Sequence, residues 1–145
     1  MNRSDWTMLA LAAAAGAALE PVQLQKTLFL LGKNLGAETL GEGFYDFAAY
    51  DYGPFSKLVY EDAEELERAG LITIARPPAV RYREYRITAR GRERATAIAS
   101  GVPERATRYV TSVVQWVRSL SFNALVSAIY KQYPDMAANS VFTDR

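Results

Sequence analysis

Cysteine and histidine are both absent from the 145 residues. Their absence excludes disulfides, thiolate and imidazole metal sites, Cys–His and Ser–His nucleophilic pairs, and the usual general base near neutral pH. Carboxylates, lysines, tyrosines and serines are what remains for chemistry. Such a set is compatible with oxygen-ligated Mg²⁺, yet the acids cluster only along one helix face. Asp46 and Asp51 flank an aromatic stretch without a spacing that fixes their separation. The expectation is a non-enzymatic protein with no catalytic residue, no metal and no cofactor. Long hydrophobic runs are missing too. The longest, Met8 to Leu19 with Gly16 inside it, is too short to span a bilayer and is mostly alanine. The opening MNRSDW has none of the basic, apolar and small-residue regions of a signal peptide, so a cytoplasmic protein away from membranes is expected. Neither sign of charge dominates: a formal net charge of +1 leaves partners to be read from where the charges fall.

What is present is apolar enough, at 50%, to build a core, and the length fits a single domain over 1–145. Ser4 and Asp5 stand where an N-cap belongs, and Trp6, Leu9, Leu11 and the following alanines predict a first helix ending near Gly16. EPVQLQKTLFLLGKNLG predicts a second, with Pro21 in its first turn, Gly36 as its stop, and Leu24, Leu28, Leu31 and Leu35 as a core stripe. Glycines mark a turn over 36–43, and FYDFAAY reads as a short strand or extended segment. Gly53-Pro54 then suits Pro54 at the first position of a third helix, with Phe55, Val59, Ala63 and Leu66 inward and Gly70 as its stop. LITIARPPAVRYREYRIT predicts a hairpin turning at Pro77-Pro78-Ala79, with Tyr85 and Ile87 facing inward. Three helices followed by a hairpin on short links are the order of a winged helix. The predicted class is α+β, mostly helical, with a winged-helix-like core over 1–88 and a helical extension over 89–145. In that extension Thr88 caps one helix and Pro103 opens the next. The apolar sector of this second helix, from Tyr109 through Trp116 to Leu120, is broad enough to demand burial or a second copy of the chain, so a homodimer through the C-terminal helices is expected. Ser121 and Asn123 cap a last helix, and the polar tail from Asp135 to Arg145 reads as a docked strap.

Three stretches, LQKTLFLLG at 24–32, YDYGPFSKLVYEDAEELERAGLI at 50–72 and YRITARGRE at 85–93, resemble the YwgA-like family of small bacterial and archaeal proteins. More distantly they resemble the Panacea or SocA-like antitoxins, whose pattern also runs from an LQK-type helix to an aromatic-Tyr-Gly-Pro turn and a helix. The closing SFNALVSAIYKQYPDMAANS is similar to the end of YwgA-like chains, so the likeness covers nearly the whole length. The Tyr-Gly-Pro turn combined with Leu24-Gln25-Lys26 is its more specific part, since YRIT-x-x-G recurs across winged-helix proteins. The resemblance implies a winged-helix-like fold and a non-catalytic, regulatory role in a prokaryote. The antitoxin relatives hold a toxin protein, so DNA and protein both stand as partners.

Charge divides the chain. From Pro54 to Gly70, Lys57 and Arg68 stand against Glu61, Asp62, Glu64, Glu65 and Glu67, two cations to five anions and a net −3. A phosphate backbone repels such a helix, which also lacks the Arg, Asn and Gln side chains that read base edges in pairs of hydrogen bonds. It reads as a solvated face with pairs such as Lys57–Glu61 and Glu64–Arg68, as a protein-binding face formed by Tyr52, Phe55, Tyr60, Glu61, Glu64 and Glu65, or as a base reader by its position alone. From Arg76 to Arg94 seven arginines stand against Glu84 and Glu93, a net +5. These read as ion-paired strand residues, partly with the acidic helix, or as a wing on the nucleic-acid backbone. On the second reading Arg76, Arg81 and Arg83 lie at its tip and Arg86, Arg90, Lys26 and Lys57 around it. Lys26 and Gln23 would meet a phosphate from the start of the second helix, or face solvent. The aromatics Phe44, Tyr45, Phe47, Tyr50 and Tyr52 read as turn packing or as a pocket lining, with nothing polar converging on them. The leading expectation is a DNA-binding transcription regulator acting through the arginine wing. The alternative is an antitoxin-like or adaptor protein using the acidic third helix and the aromatic turn.

Overall fold

The computed structural model describes residues 1–142. Helix α1, Arg3–Ala13, starts one turn's corner earlier than expected. Asn2, not Ser4 or Asp5, is the N-cap: its side chain accepts from the Asp5 amide while the Asp5 carboxylate accepts from the Asn2 amide, a reciprocal capping box. Helix α2, Pro21–Asn34, has Pro21 in its first turn, and the Gln23 side chain accepts from the Glu20 amide at 2.8 Å. Leu24, Leu28, Leu31 and Leu35 are all buried, as the stripe predicts. The glycine-marked turn contains a single helical turn, α3 (Ala37–Leu40), whose Leu40 carbonyl accepts from the buried Trp6 indole at 3.0 Å.

The largest departure follows. Gly53-Pro54 does not open a helix: Ala48–Tyr50 (β1) and Gly53–Phe55 (β2) form an antiparallel hairpin in which Ala49 faces Pro54. Proline is tolerated there because a two-stranded ribbon leaves one edge free of ladder donors. Helix α4 begins only at Lys57 and ends at Arg68, with Val59, Ala63 and Leu66 inward. Phe55, counted inward on that helix, is instead a half-buried strand residue.

Strands β3 (Ile72–Ala75) and β4 (Glu84–Ile87) pair antiparallel, with Ile72, Ile74, Tyr85 and Ile87 buried as alternation requires. A third segment joins them. Leu19, between α1 and α2, exchanges both backbone hydrogen bonds with Tyr85, each 2.9 Å. Helices α5 (Ala89–Ala99, capped by Thr88), α6 (Glu104–Ser119) and α7 (Phe122–Gln132, capped by Ser121) complete the chain with a 3-10 turn at Pro134–Ala137. The fold is α+β and mostly helical, with seven α-helices and two small antiparallel hairpins among the described residues.

Helices α5 and α6 pack on α1, and α6 also on α2, so buried residues from Trp6 to Met136 form one core cluster. This packing uses up the broad apolar sector of α6. Val110, Val113, Val114 and Val117 are buried within the chain, Tyr109 and Leu120 are half-buried, and Trp116, 39% exposed, is the most open residue of the sector. Beyond α7 the tail docks on the first hairpin, Val141 donating to the Asp51 carbonyl at 2.9 Å and Asn139 to that of Ala49 at 3.2 Å. The strap expected over 135–145 is thus present as far as Phe142, and its last three residues lie outside the described ones. No helix among the described residues is long and apolar enough to cross a membrane.

Candidate functional site

The two charged surfaces meet at one ion pair, and their other ion pairs among the described residues go to sequence neighbours or to α1. On α4, Asp62 takes both the Arg3 guanidinium (2.7 Å) and the Tyr45 hydroxyl (2.7 Å) and is part of the core's edge. Tyr45, buried and donating to that carboxylate, has its phenol pushed well above the ordinary range, burial first and Asp62 second. Glu64 lies 3.8 Å from Arg83 of the second hairpin, so helix and hairpin neutralise one another there. Glu65 pairs with Arg68 one turn on, where the sequence suggests Glu64 for that role, and Glu67 accepts from the Ile74 amide at 3.2 Å. Glu61 is exposed. On the hairpin, Arg86 pairs with Glu84 at 3.2 Å and Arg90 lies against the Gly70 turn. Arg76 and Arg81 are exposed, without an ion pair among the described residues, as is Lys57 at the start of α4.

Lys26 is in a different place from the one expected. It is 4% exposed, not a phosphate contact at a helix start. The reason lies in the surroundings of α2, which is covered on all sides from Leu24 to Leu31, the first hairpin closing the flank opposite the leucine stripe. Lys26 Nζ donates to the Pro54 carbonyl at 3.3 Å. An ammonium carries three donors, and no carboxylate pairs with this one among the described residues. Burial pushes its pKa down to about 8, which leaves it mainly cationic at neutral pH. Beside it, the buried Gln25 side chain is held at both ends by Ser56, donating to its carbonyl and accepting from its amide, each at 2.9 Å. Those bonds take the Ser56 backbone and set where α4 can start.

Leu24-Gln25-Lys26 and Tyr52-Gly53-Pro54, far apart in sequence, are therefore in direct contact. Around them is a cleft of about 300 Å³ whose walls include Val22, Tyr50, Phe55 and Tyr60. Tyr50 stacks on Phe55 (centroids 5.1 Å apart), Phe55 meets Tyr60 edge-on (5.6 Å), and Tyr60 lies parallel to Tyr85 (6.2 Å). Burial, aided by the Tyr85 phenol, raises Tyr60 to about 12, so it stays a neutral donor. Gly53 allows the close approach. Its φ is +103°, and a Cβ there would stand 3.2 Å from the Tyr130 ring and 3.6 Å from Lys26 Cε. The outer rim is exposed aromatic surface: Tyr50 is 55% exposed and Tyr52 45%, and Tyr52 meets Phe122, itself 40% exposed, at 5.2 Å.

Of the sequence candidates, Tyr52, Phe55 and Tyr60 line this cleft with Lys26, while Glu61, Glu64 and Glu65 lie along α4 outside it. Sequence reasoning missed the convergent polar group. No local signal marks it, because Gln23, Lys26, Thr27 and Lys33 share one side of α2, away from the leucine stripe, and that pattern reads as a solvated face. No protein-family model and no curated protein matches the chain.

Proposed function

We propose that the protein is a non-enzymatic, winged-helix-type binding module that holds a protein partner on the aromatic surface around the Tyr-Gly-Pro hairpin; the resemblance to YwgA-like proteins and to the antitoxins implies the fold and the non-catalytic role and leaves DNA and protein both as partners. The observation that carries this reading is the contiguous exposed aromatic rim of Tyr50, Tyr52 and Phe122, since such patches on soluble domains mark association sites. The winged-helix part is supported by the order α1, the Leu19 bridge, α2, α4, β3 and β4. The acidic helix contributes less than its charge suggests, because Asp62, Glu64 and Glu65 already have cationic neighbours. Affinity capture from the source cell, with the Tyr50→Ala/Tyr52→Ala double variant as control, tests the proposal. A partner held by the wild type and lost by the variant is expected; capture undiminished by the variant overturns the choice of surface.

A second reading has its own support in Arg76 and Arg81, exposed on the second hairpin and without an ion pair among the described residues. As a contact to nucleic-acid backbone they would give binding to random duplex that weakens steeply with salt and falls when both become alanine. No binding at low salt excludes it.

A further inference from the structure

The cleft beside the first hairpin combines two features that seldom occur together. One is a wall of apolar and aromatic side chains, Val22, Tyr50, Phe55 and Tyr60; the other is a lysine 4% exposed at its floor. A buried cation is costly unless paired. Lys26 has one carbonyl, Pro54, at 3.3 Å. Asp51 also borders the cleft, but its ion pair with Lys26 is not formed. The remaining donors of the ammonium lie where a bound anion would complete them.

We propose that this cleft is a binding site for the C-terminal carboxylate of a polypeptide whose last side chain is apolar or aromatic, the carboxylate pairing with Lys26 and the side chain packing against the wall formed by Val22, Tyr50, Phe55 and Tyr60. Charge complementarity selects the carboxylate: one anion neutralises the lone buried cation, and an oxygen acceptor satisfies its open donors. The volume, about 300 Å³, holds one large residue rather than a continuing chain. A terminus has to enter only once, whereas an internal residue would need the chain to pass both in and out of the opening. The cleft opens onto the exposed rim of Tyr50 and Tyr52, where the residues preceding the terminus would lie. The inference rests on the proposed partner-binding surface for its setting and on Lys26 for its chemistry.

The experiment titrates the isotope-labelled full chain by NMR with the peptides Ala-Ala-Ala-Leu and Ala-Ala-Ala-Phe, each with a free and with an amidated C-terminus, and with 4-methylpentanoate as a small acid. Expected are saturable shifts centred on residues 22–26 and 50–60 with at least one free-terminus peptide, and at least ten-fold weaker binding of its amide. At least ten-fold weakening is also expected in Lys26→Met and a smaller loss in Tyr50→Ala, an exposed position. The amidated peptides test the charge without altering the protein, so the proposal stays testable if Lys26→Met fails to fold. Equal binding of acid and amide, no binding of either peptide, unchanged affinity in Lys26→Met, or binding of the small acid alone would each overturn it. Partner capture that survives Lys26→Met overturns this inference and leaves the proposed function standing. Peptide binding without any captured protein does the reverse.

Discussion

Two residues at the hairpin have consequences that can be measured singly. Lys26 titrates at about 8 when folded against an ordinary 10.5, because burial penalises its charge. A base lowered on folding is proton-poor relative to the unfolded chain between those values, so stability rises with pH across that window and the cost is fully present below it. The difference between the two values corresponds to about 3 kcal/mol. Lys26→Met, which keeps the stem and removes the charge, is expected to be more stable than the wild type at pH 7 by up to about that amount. Urea denaturation should show the gap closing between pH 8 and 10.5. The raised phenols Tyr45 and Tyr60 lower the stability of both proteins at the alkaline end and cancel in the comparison. Gly53→Ala places a Cβ at a left-handed φ against Tyr130. Thermal unfolding should report a loss of about 1–3 kcal/mol.

Gln25 makes the join between elements. Its amide holds both backbone groups of buried Ser56, the residue between β2 and α4. Gln25→Ala strands the buried Ser56 amide, while the Ser56 carbonyl keeps the Val59 amide, a cost of about 1–3 kcal/mol. Gln25→Glu keeps one bond and buries a second charge beside Lys26, which would place an internal anion where none now pairs. The second hairpin and α4 meet at Arg83 and Glu64, both partly exposed. A double-mutant cycle across that pair is expected to give a coupling below about 1 kcal/mol, and a larger value would make the contact a structural joint. Neither join is visible in a helical periodicity, because each depends on which backbone group from another element arrives opposite the side chain.

At the scale of the whole molecule, the tail up to Phe142 is held to the first hairpin through Val141 and Asn139 and to α7 through the Tyr130–Ser140 hydroxyl contact. Deleting residues 139–145 should raise amide exchange across 48–55 while leaving the core helices protected, since Met136 and the α6 valines remain in place. Loss of protection throughout the chain would show instead that the strap belongs to the core. Light scattering addresses the homodimer expected from the sequence. With the α6 valines packed on α1 and α2, Trp116 is the exposed large apolar side chain left on that helix, so no dimer through α6 is expected at micromolar concentration.

Much of this architecture follows from local pattern, and the candidate site does not. The leucine stripe of α2, the Thr88 and Ser121 caps, and the alternation of β3 and β4 are visible in the sequence because each is a periodicity or a cap within a few residues. Pro54 misleads for the same reason: its local preference for a first helical turn is genuine, but Gln25 and the β1 partner lie about thirty residues upstream and just before it, and they hold the segment extended. Charge misleads likewise, since a net −3 helix and a net +5 hairpin describe composition, while the Arg3–Asp62 and Arg83–Glu64 pairs describe where those charges went. Residue type and short spacing are enough for six of the seven helices, the second hairpin and the exclusion of thiol and imidazole chemistry, though not for α3 or for where α4 starts. Only the tertiary structure decided that Lys26 is a buried cation at the floor of an aromatic cleft. Burial and the lack of a counter-ion are properties of the elements that close over a residue, and those come from elsewhere in the chain.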